Sequence, residues 1–198
     1  LPLLEKALAD PDDSVRSSAG FALASMGGAG ALAVLEKALQ NQDVQVRRTA
    51  VFALSSARGQ DVLPLLEKAL ADQDASVRSP AVFALGNVGS EKALALLEKV
   101  LAGQDASMRR RVLSVLERFG GEKALAIMEK ALAHQDVYVR SSAASALGRI
   151  GGEKALPLLE KAIGDQDVAV RRSAAWAVGQ IGGEGASRLL EKALSAQD

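Results

Sequence analysis

The sequence predicts an all-α fold, a right-handed α-solenoid of 31-residue helical hairpins, and three observations carry that prediction. The dipeptide Glu-Lys begins at Glu5, Glu36, Glu67, Glu98, Glu129, Glu160 and Glu191, a constant step of 31 residues. Arg keeps the same step at Arg16, Arg47, Arg78, Arg109, Arg140 and Arg171, preceded each time by Val or, once, by Met108. Asp does so at Asp12, Asp43, Asp74, Asp105, Asp136, Asp167 and Asp198. Three markers in register without one insertion define a tandem repeat. A hairpin of two short helices cannot bury its apolar face alone, so the core must come from stacking neighbours.

Each repeat is counted from its Asp as places 1 to 31. The boundaries are a partial repeat 1–11, then full repeats 12–42, 43–73, 74–104, 105–135, 136–166 and 167–197, read as one solenoid domain. Residues 136–166 represent the pattern. Asp136 is expected to cap the first helix by accepting from backbone N–H groups one turn on. Val139, Ala143, Ala146, Leu147 and Ile150 follow at the spacing of one helical face. Gly151-Gly152 stops the helix, because Gly takes a left-handed conformation without strain. A second helix is expected from Glu153 to Gly164, with Ala155, Leu156, Leu159, Ala162 and Ile163 buried. Pro157 falls in its first turn, where a missing N–H costs little.

Several positions depart from this pattern. Arg58 replaces the first Gly of a stop and leaves Gly59 to make the turn. Pro80 falls at place 7, early enough in its helix to be tolerated. Ser187 stands where other second helices carry Leu, a hint of a C-terminal cap. No polar cap is seen at the N-terminus. The expectation is a chain that starts inside a longer array or has that end covered, with end-to-end self-association through the apolar flanks.

Composition narrows the function classes. The 198 residues are 48% hydrophobic and 3% aromatic, with no Cys and a single His. That removes disulfide frameworks, thiolate metal sites and thiol nucleophiles, and leaves no room for a His-based metal cluster or triad. Lys plus Arg balance Asp plus Glu at 24 each, so net charge does not favour nucleic acid. No run of 18 apolar residues suggests a membrane span, and a cysteine-free chain fits the cytoplasm. Ser residues have no neighbouring base to activate them, and the Gly pairs are helix stops rather than phosphate cradles. No catalytic constellation and no cofactor site are read. His134 at place 30 is read as a solvent-exposed turn residue. The place-5 Arg series is read as structural, pairing with the place-1 Asp within or between repeats.

The residues Asp-x-x-Val-Arg, Ala-Ala-x-Ala-Leu-Gly-x-Ile-Gly and Glu-Lys-Ala-Leu-Pro-Leu-Leu-Glu-Lys-Ala are clearest at 136–162 and 167–193. This pattern resembles the HEAT-like repeats of the phycobilisome-lyase type, and the artificial binding scaffolds built from their consensus. The resemblance spans essentially the whole chain. It implies stacked helical hairpins whose first helices line a concave binding surface. It also implies an accessory role in bilin attachment as one reading, with Arg110, Arg111 and Arg118 available to the propionates.

At about 100° per residue, places 3, 6, 7, 10 and 14 of the first helix lie opposite its buried face. Across six repeats these thirty positions hold five of the six aromatics (Phe21, Phe52, Phe83, Tyr138 and Trp176). They also hold six Arg (Arg48, Arg110, Arg111, Arg118, Arg149 and Arg172) and no acidic residue. Each Phe ring either folds into the gap beside its helix, where Gly20, Val51 and Val82 leave room, or faces a partner. The Arg residues are either an ordinary solvated face or a reader of negative charge. Their co-occurrence without acids favours a binding surface. The function expected is a non-catalytic protein-binding or scaffolding module whose protein partner offers apolar and acidic groups. Nucleic acid across the same face is the weaker alternative.

Overall fold

The computed structural model describes residues 1–57, 62–103 and 105–195. Among them run thirteen α-helices and no strand. They are α1 (Pro2–Leu8), α2 (Asp13–Met26), α3 (Gly28–Ala38), α4 (Val44–Ser56), α5 (Leu63–Leu70), α6 (Ala75–Val88) and α7 (Glu91–Leu101). Then follow α8 (Ala106–Phe119), α9 (Gly121–Leu132), α10 (Val137–Ile150), α11 (Leu156–Ile163), α12 (Val168–Ile181) and α13 (Gly183–Ser195). The helices gather into two compact units, Leu1–Leu97 and Glu98–Asp198. In the first, α2 packs on α4 and α4 on α6, with α1, α3 and α5 laid against these first helices. In the second, α8, α10 and α12 pack in sequence and α9, α11 and α13 lie against them.

Every first helix begins as expected, at a place-1 Asp in extended conformation. Asp12, Asp43, Asp74, Asp105, Asp136 and Asp167 each accept from the N–H two residues on, and Asp12 and Asp105 also from the next one. These bonds favour the ionised carboxylate. The backbone N–H groups of Val15 and Ser14 hold Asp12 below its ordinary value, and that of Tyr138, with Arg109, does the same for Asp136.

The core is built from two recurring places of the first helix and one of the second. Place 8 carries Ala50, Ala81, Val112, Ala143 and Ala174, and place 12 carries Leu23, Leu54, Leu85, Leu116, Leu147 and Val178, all fully buried. Leu35, Leu66, Leu97, Met128 and Leu159 meet them from the second helices, equally buried. Each such Leu contributes roughly 1.5–3 kcal/mol relative to an exposed one. Small side chains at place 8 let the helices approach. The limit is reached at Gly148, where an added Cβ would stand 2.8 Å from both Cα and Cβ of Ala177.

Second helices differ in where they start, and proline sets the difference. At Gly120-Gly121 both residues take positive φ (63° and 72°), and α9 starts at once. At Gly151-Gly152 only the second does (46°), and a 3-10 turn over Gly152–Ala155 precedes α11. The helix expected from Glu153 therefore begins at Leu156. Pro157 prefers the first turn, and it disfavours helical conformation in the residue before it. α5 likewise starts late, at Leu63 before Pro64. Pro80, by contrast, sits within α6, which runs past it unbroken. Ser187 is exposed, its hydroxyl donating to the Gly183 carbonyl. The stop expected at Arg58 and Gly59 lies outside the described residues.

The place-5 Arg is structural, but its partners differ from those expected. Arg16, Arg47, Arg109 and Arg140 are 6–7% exposed. Arg47 Nη1 donates to the carbonyls of Asn41 and Gln42, and Arg140 Nη1 to those of His134 and Gln135, both at 2.9–3.0 Å. The same pair of carbonyls, five and six residues back, receives Arg16, Arg78 and Arg171. Arg47 also reaches forward to Asp72 (2.7 and 3.2 Å) and Arg140 to Asp165 (2.8 and 3.1 Å). Each thus ties the loop before its helix to the loop that closes its repeat. At Arg47 and Arg140 the carboxylate comes from place 30, at Arg16 from Asp13 at place 2 (2.8 Å), and at Arg109 from the place-1 Asp136 (2.6 Å).

Place 30 has a second duty. The side chains of Asp10, Asn41, Asp72 and Asp165 each accept from the N–H of the following place-1 Asp. His134 does so through Nδ1, at 3.0 Å from the Asp136 nitrogen. It is therefore a half-buried loop brace, not a free turn residue.

Candidate functional site

Which side chains remain after core and loops are satisfied decides what the molecule offers a partner. Of the thirty outer-face positions, only Thr49 is buried. Its methyl stands where a side chain at Gly20 would point, 3.2 Å from that absent Cβ.

In the first unit the three Phe residues occupy place 10 of α2, α4 and α6. Phe21 is 70% exposed, Phe52 53% and Phe83 38%. Phe21 and Phe52 are thus more than half exposed and Phe83 is partly covered, while Val51 and Val82, at the place before Phe52 and Phe83, are fully buried. Between α2 and α4, where that place is Gly20, a pocket of about 200 Å³ opens, walled by Phe21 and Phe52 and flanked by Arg48. Arg48 is half-buried and makes no ion pair among the described residues. Asp13 lies on the rim, its carboxylate 2.8 Å from Arg16.

In the second unit the exposed groups are cationic and polar. A shallow groove of about 220 Å³ along α8, α10 and α12 is lined by Arg110, Tyr138, Arg149 and five Ser residues. The Arg110 guanidinium lies 5.6 Å from the Tyr138 ring centre, a cation–π contact that holds it over the groove. Arg149 is committed differently: it grips Glu117 through both Nε and Nη2, with Nε at 3.0 Å. Glu117 sits at place 13, just outside the outer-face set, so inspection of that set alone missed an acid on its border. Arg111, Arg118 and Arg172 are exposed, as is Trp176, 53% exposed on α12. The structure thus groups Arg110, Tyr138 and Arg149 around one groove, and Phe21, Phe52 and Arg48 around another.

Among the described residues the opposite layer pairs many of its own charges. Lys37 pairs with Glu5 and Lys68 with Glu36 in the first unit. Lys130 pairs with Glu98, Lys161 with Glu129 and Lys192 with Glu160 in the second. Every pair joins residues 32 apart, one repeat plus one residue, so second helices are laced by surface charges that each contribute little. The bond that Lys192 donates to Glu160 raises its amine above the ordinary value, and the bond from Lys154 lowers the Glu122 carboxyl.

The repeat's capped first helix, glycine stop and second helix match a family model described as HEAT repeats, over residues 1–81, 65–137 and 126–198. The chain belongs to the HEAT-repeat family. Among solved structures, this HEAT-repeat chain is similar to the complex of CpcE and CpcF of phycocyanin lyase from Nostoc sp. PCC7120. That likeness has a TM-score of 0.53 and 25% identity, covering 95% of this chain and 79% of that one. It is also similar to an engineered protein (TM-score 0.47, 23% identity, 90% and 95% covered). A designed armadillo repeat protein in complex with the peptide (KR)4 matches too, at TM-score 0.48 and 23% identity, with 92% and 99% covered. No curated protein matches the chain by sequence. Among the described residues no helix is long and apolar enough to cross a membrane, and no three His, Asp or Glu side chains gather to hold a metal ion.

Proposed function

We propose that these HEAT repeats form a non-catalytic protein-binding module, with partner segments lying on the outer faces of the first helices. Apolar side chains meet Phe21, Phe52 and Phe83 in the first unit. Carboxylates meet Arg110, Arg111 and Arg172 in the second, where Arg118 and Trp176 extend the surface and Arg149 serves to place Glu117. The observation that carries this reading is the exposure of three Phe rings at one repeated place. Exposed aromatics and Arg are the residues that dominate binding energy.

The test is the triple variant Phe21→Ser, Phe52→Ser and Phe83→Ser, compared with wild type against a displayed peptide library. Helicity should be retained, since all three rings are partly exposed. Peptides selected on the wild type should lose about tenfold or more in affinity, the usual cost of deleting anchor residues. Retained affinity overturns the role of the Phe face. The Arg groove separates acidic peptides from nucleic acid: DNA retention that weakens steeply with salt would assign it to phosphates instead.

A second reading follows from the likeness to the phycocyanin lyase complex. In it the chain assists bilin attachment, and Arg110, Arg111 and Arg118 receive the pigment's propionates. A visible absorbance shift on adding free bilin would support it, and an unchanged spectrum would remove it.

A further inference from the structure

The pocket between α2 and α4 exists because of one residue. At place 9, α4, α6, α8 and α10 carry Val51, Val82, Leu113 and Ala144, all essentially buried, and α12 carries an exposed Ala175. In α2 that place is Gly20. Without a side chain there, Phe21 and Phe52 stand as two walls over a floor of Gly20, Thr49 and Ala53. A cavity near 150 Å³ lined by apolar groups accepts a benzene ring, so about 200 Å³ accommodates one aromatic side chain. Aromatic walls favour an aromatic guest through edge-to-face and offset contacts beyond simple burial.

Charge selects what stands beside that guest. Arg48 lines the pocket with no carboxylate partner among the described residues. Asp13, the one acid on the rim, is occupied by the Arg16 guanidinium at 2.8 Å. The mouth therefore has one uncompensated positive group, suited to a carboxylate through a planar two-pronged bond.

We propose that this pocket anchors one aromatic side chain of a partner segment whose adjacent residue is acidic, the ring between Phe21 and Phe52 and the carboxylate on Arg48. This rests on the reading of the first-helix face as a partner surface. It adds the anchor's chemistry and its position.

The experiment is calorimetric titration of the full chain with three acetylated, amidated peptides: Ser-Ser-Trp-Asp-Ser-Ser, the same with Trp replaced by Ala, and the same with Asp replaced by Lys. The Trp-Asp peptide should bind at least about tenfold tighter than either control, the gap expected of a buried anchor with one charge-assisted contact. Gly20→Val fills the pocket from its floor and should remove that preference. Because its new side chain also presses on Thr49, Ser17→Phe blocks the same pocket from an exposed wall and must give the same result. Arg48→Gln should leave the Trp preference and abolish the distinction between Asp and Lys. No binding of the Trp-Asp peptide, or a wild-type preference for it retained in both pocket-filling variants, overturns the proposal. If library-selected peptides are lost in the triple Ser variant yet kept in Ser17→Phe, the pocket fails and the partner face stands. Retention in both variants rejects both.

Discussion

The loops closed by Asp72 and Asp165 and the loop closed by His134 are built on the same plan and end differently. In the first two, a buried Arg donates two bonds to a carboxylate in its own repeat and two to carbonyls of the preceding loop. In the third, His134 keeps the backbone brace but offers no carboxylate, so Arg109 turns to Asp136 with Nη2 and leaves Nε buried without a partner. Arg16 shows the same orphaned Nε, in the repeat whose place 30 is Asn41. The lesson concerns place 30: its two oxygens serve two masters, one bracing the next helix start and both receiving Arg. An amide or an imidazole preserves only the first of these duties.

The largest effect should come from breaking the complete version. Arg140→Leu strands Asp165, whose side chain is 13% exposed, and frees two loop carbonyls. A cost of about 3–5 kcal/mol is expected for removing one member of such a pair, read as a lower midpoint in urea. Arg109→Leu should cost distinctly less, because its carboxylate partner Asp136 is 31% exposed and regains water. Equal losses for the two variants would mean that the carbonyl bonds, common to both, carry the stability.

Acid should act next, through the same carboxylates. Burial pushes the Asp72 carboxyl up, but the hydrogen bond and charge of Arg47 with the Asp74 N–H outweigh it and hold it below its ordinary value. The Arg140 bond holds Asp165 down as well. Both carboxyls therefore release protons more readily in the folded chain. Their contribution is complete above the ordinary Asp range near about 4 and is lost as pH falls through the depressed folded values. In Asp72→Asn plus Asp165→Asn, the fall in melting temperature with acid should be shallower than in wild type.

The smallest change is a gain. His134→Asp supplies Arg109 with the carboxylate that Arg47 and Arg140 already have, while an Asp oxygen keeps the bond to the Asp136 N–H. Satisfying one buried guanidinium nitrogen should stabilise the chain by about 1 kcal/mol, seen as a raised melting temperature. A lowered one would show that His134 holds its loop in a way Asp does not.

Much of this architecture was legible because the repeat carries its rules on its surface. The Asp caps, the Gly stops and the 3.6-residue apolar stripe depend on neighbours within a few residues, so the sequence reading located the hairpins and their cores. The late start of α11 was legible too, in Pro157, though the expected boundary placed the helix three residues early. Place 30 was visible as a run of Asp, Asn and His without its purpose, since its Arg partner lies 25 residues away. The aromatic and Arg positions could be listed from the helical wheel. That Arg149 belongs to Glu117, 32 residues back, and that Arg110 lies over Tyr138 could not.

The sequence by itself determined the fold class, the repeat register, the caps and which side of each first helix faces outward, because these follow from local backbone chemistry and helical period. Only the tertiary structure decided which charges are spent within the molecule and which are left for a partner. It also decided that a missing side chain at Gly20 becomes a pocket. Such outcomes depend on how closely successive repeats approach, and that distance is set by packing across the stack rather than by any one stretch of chain.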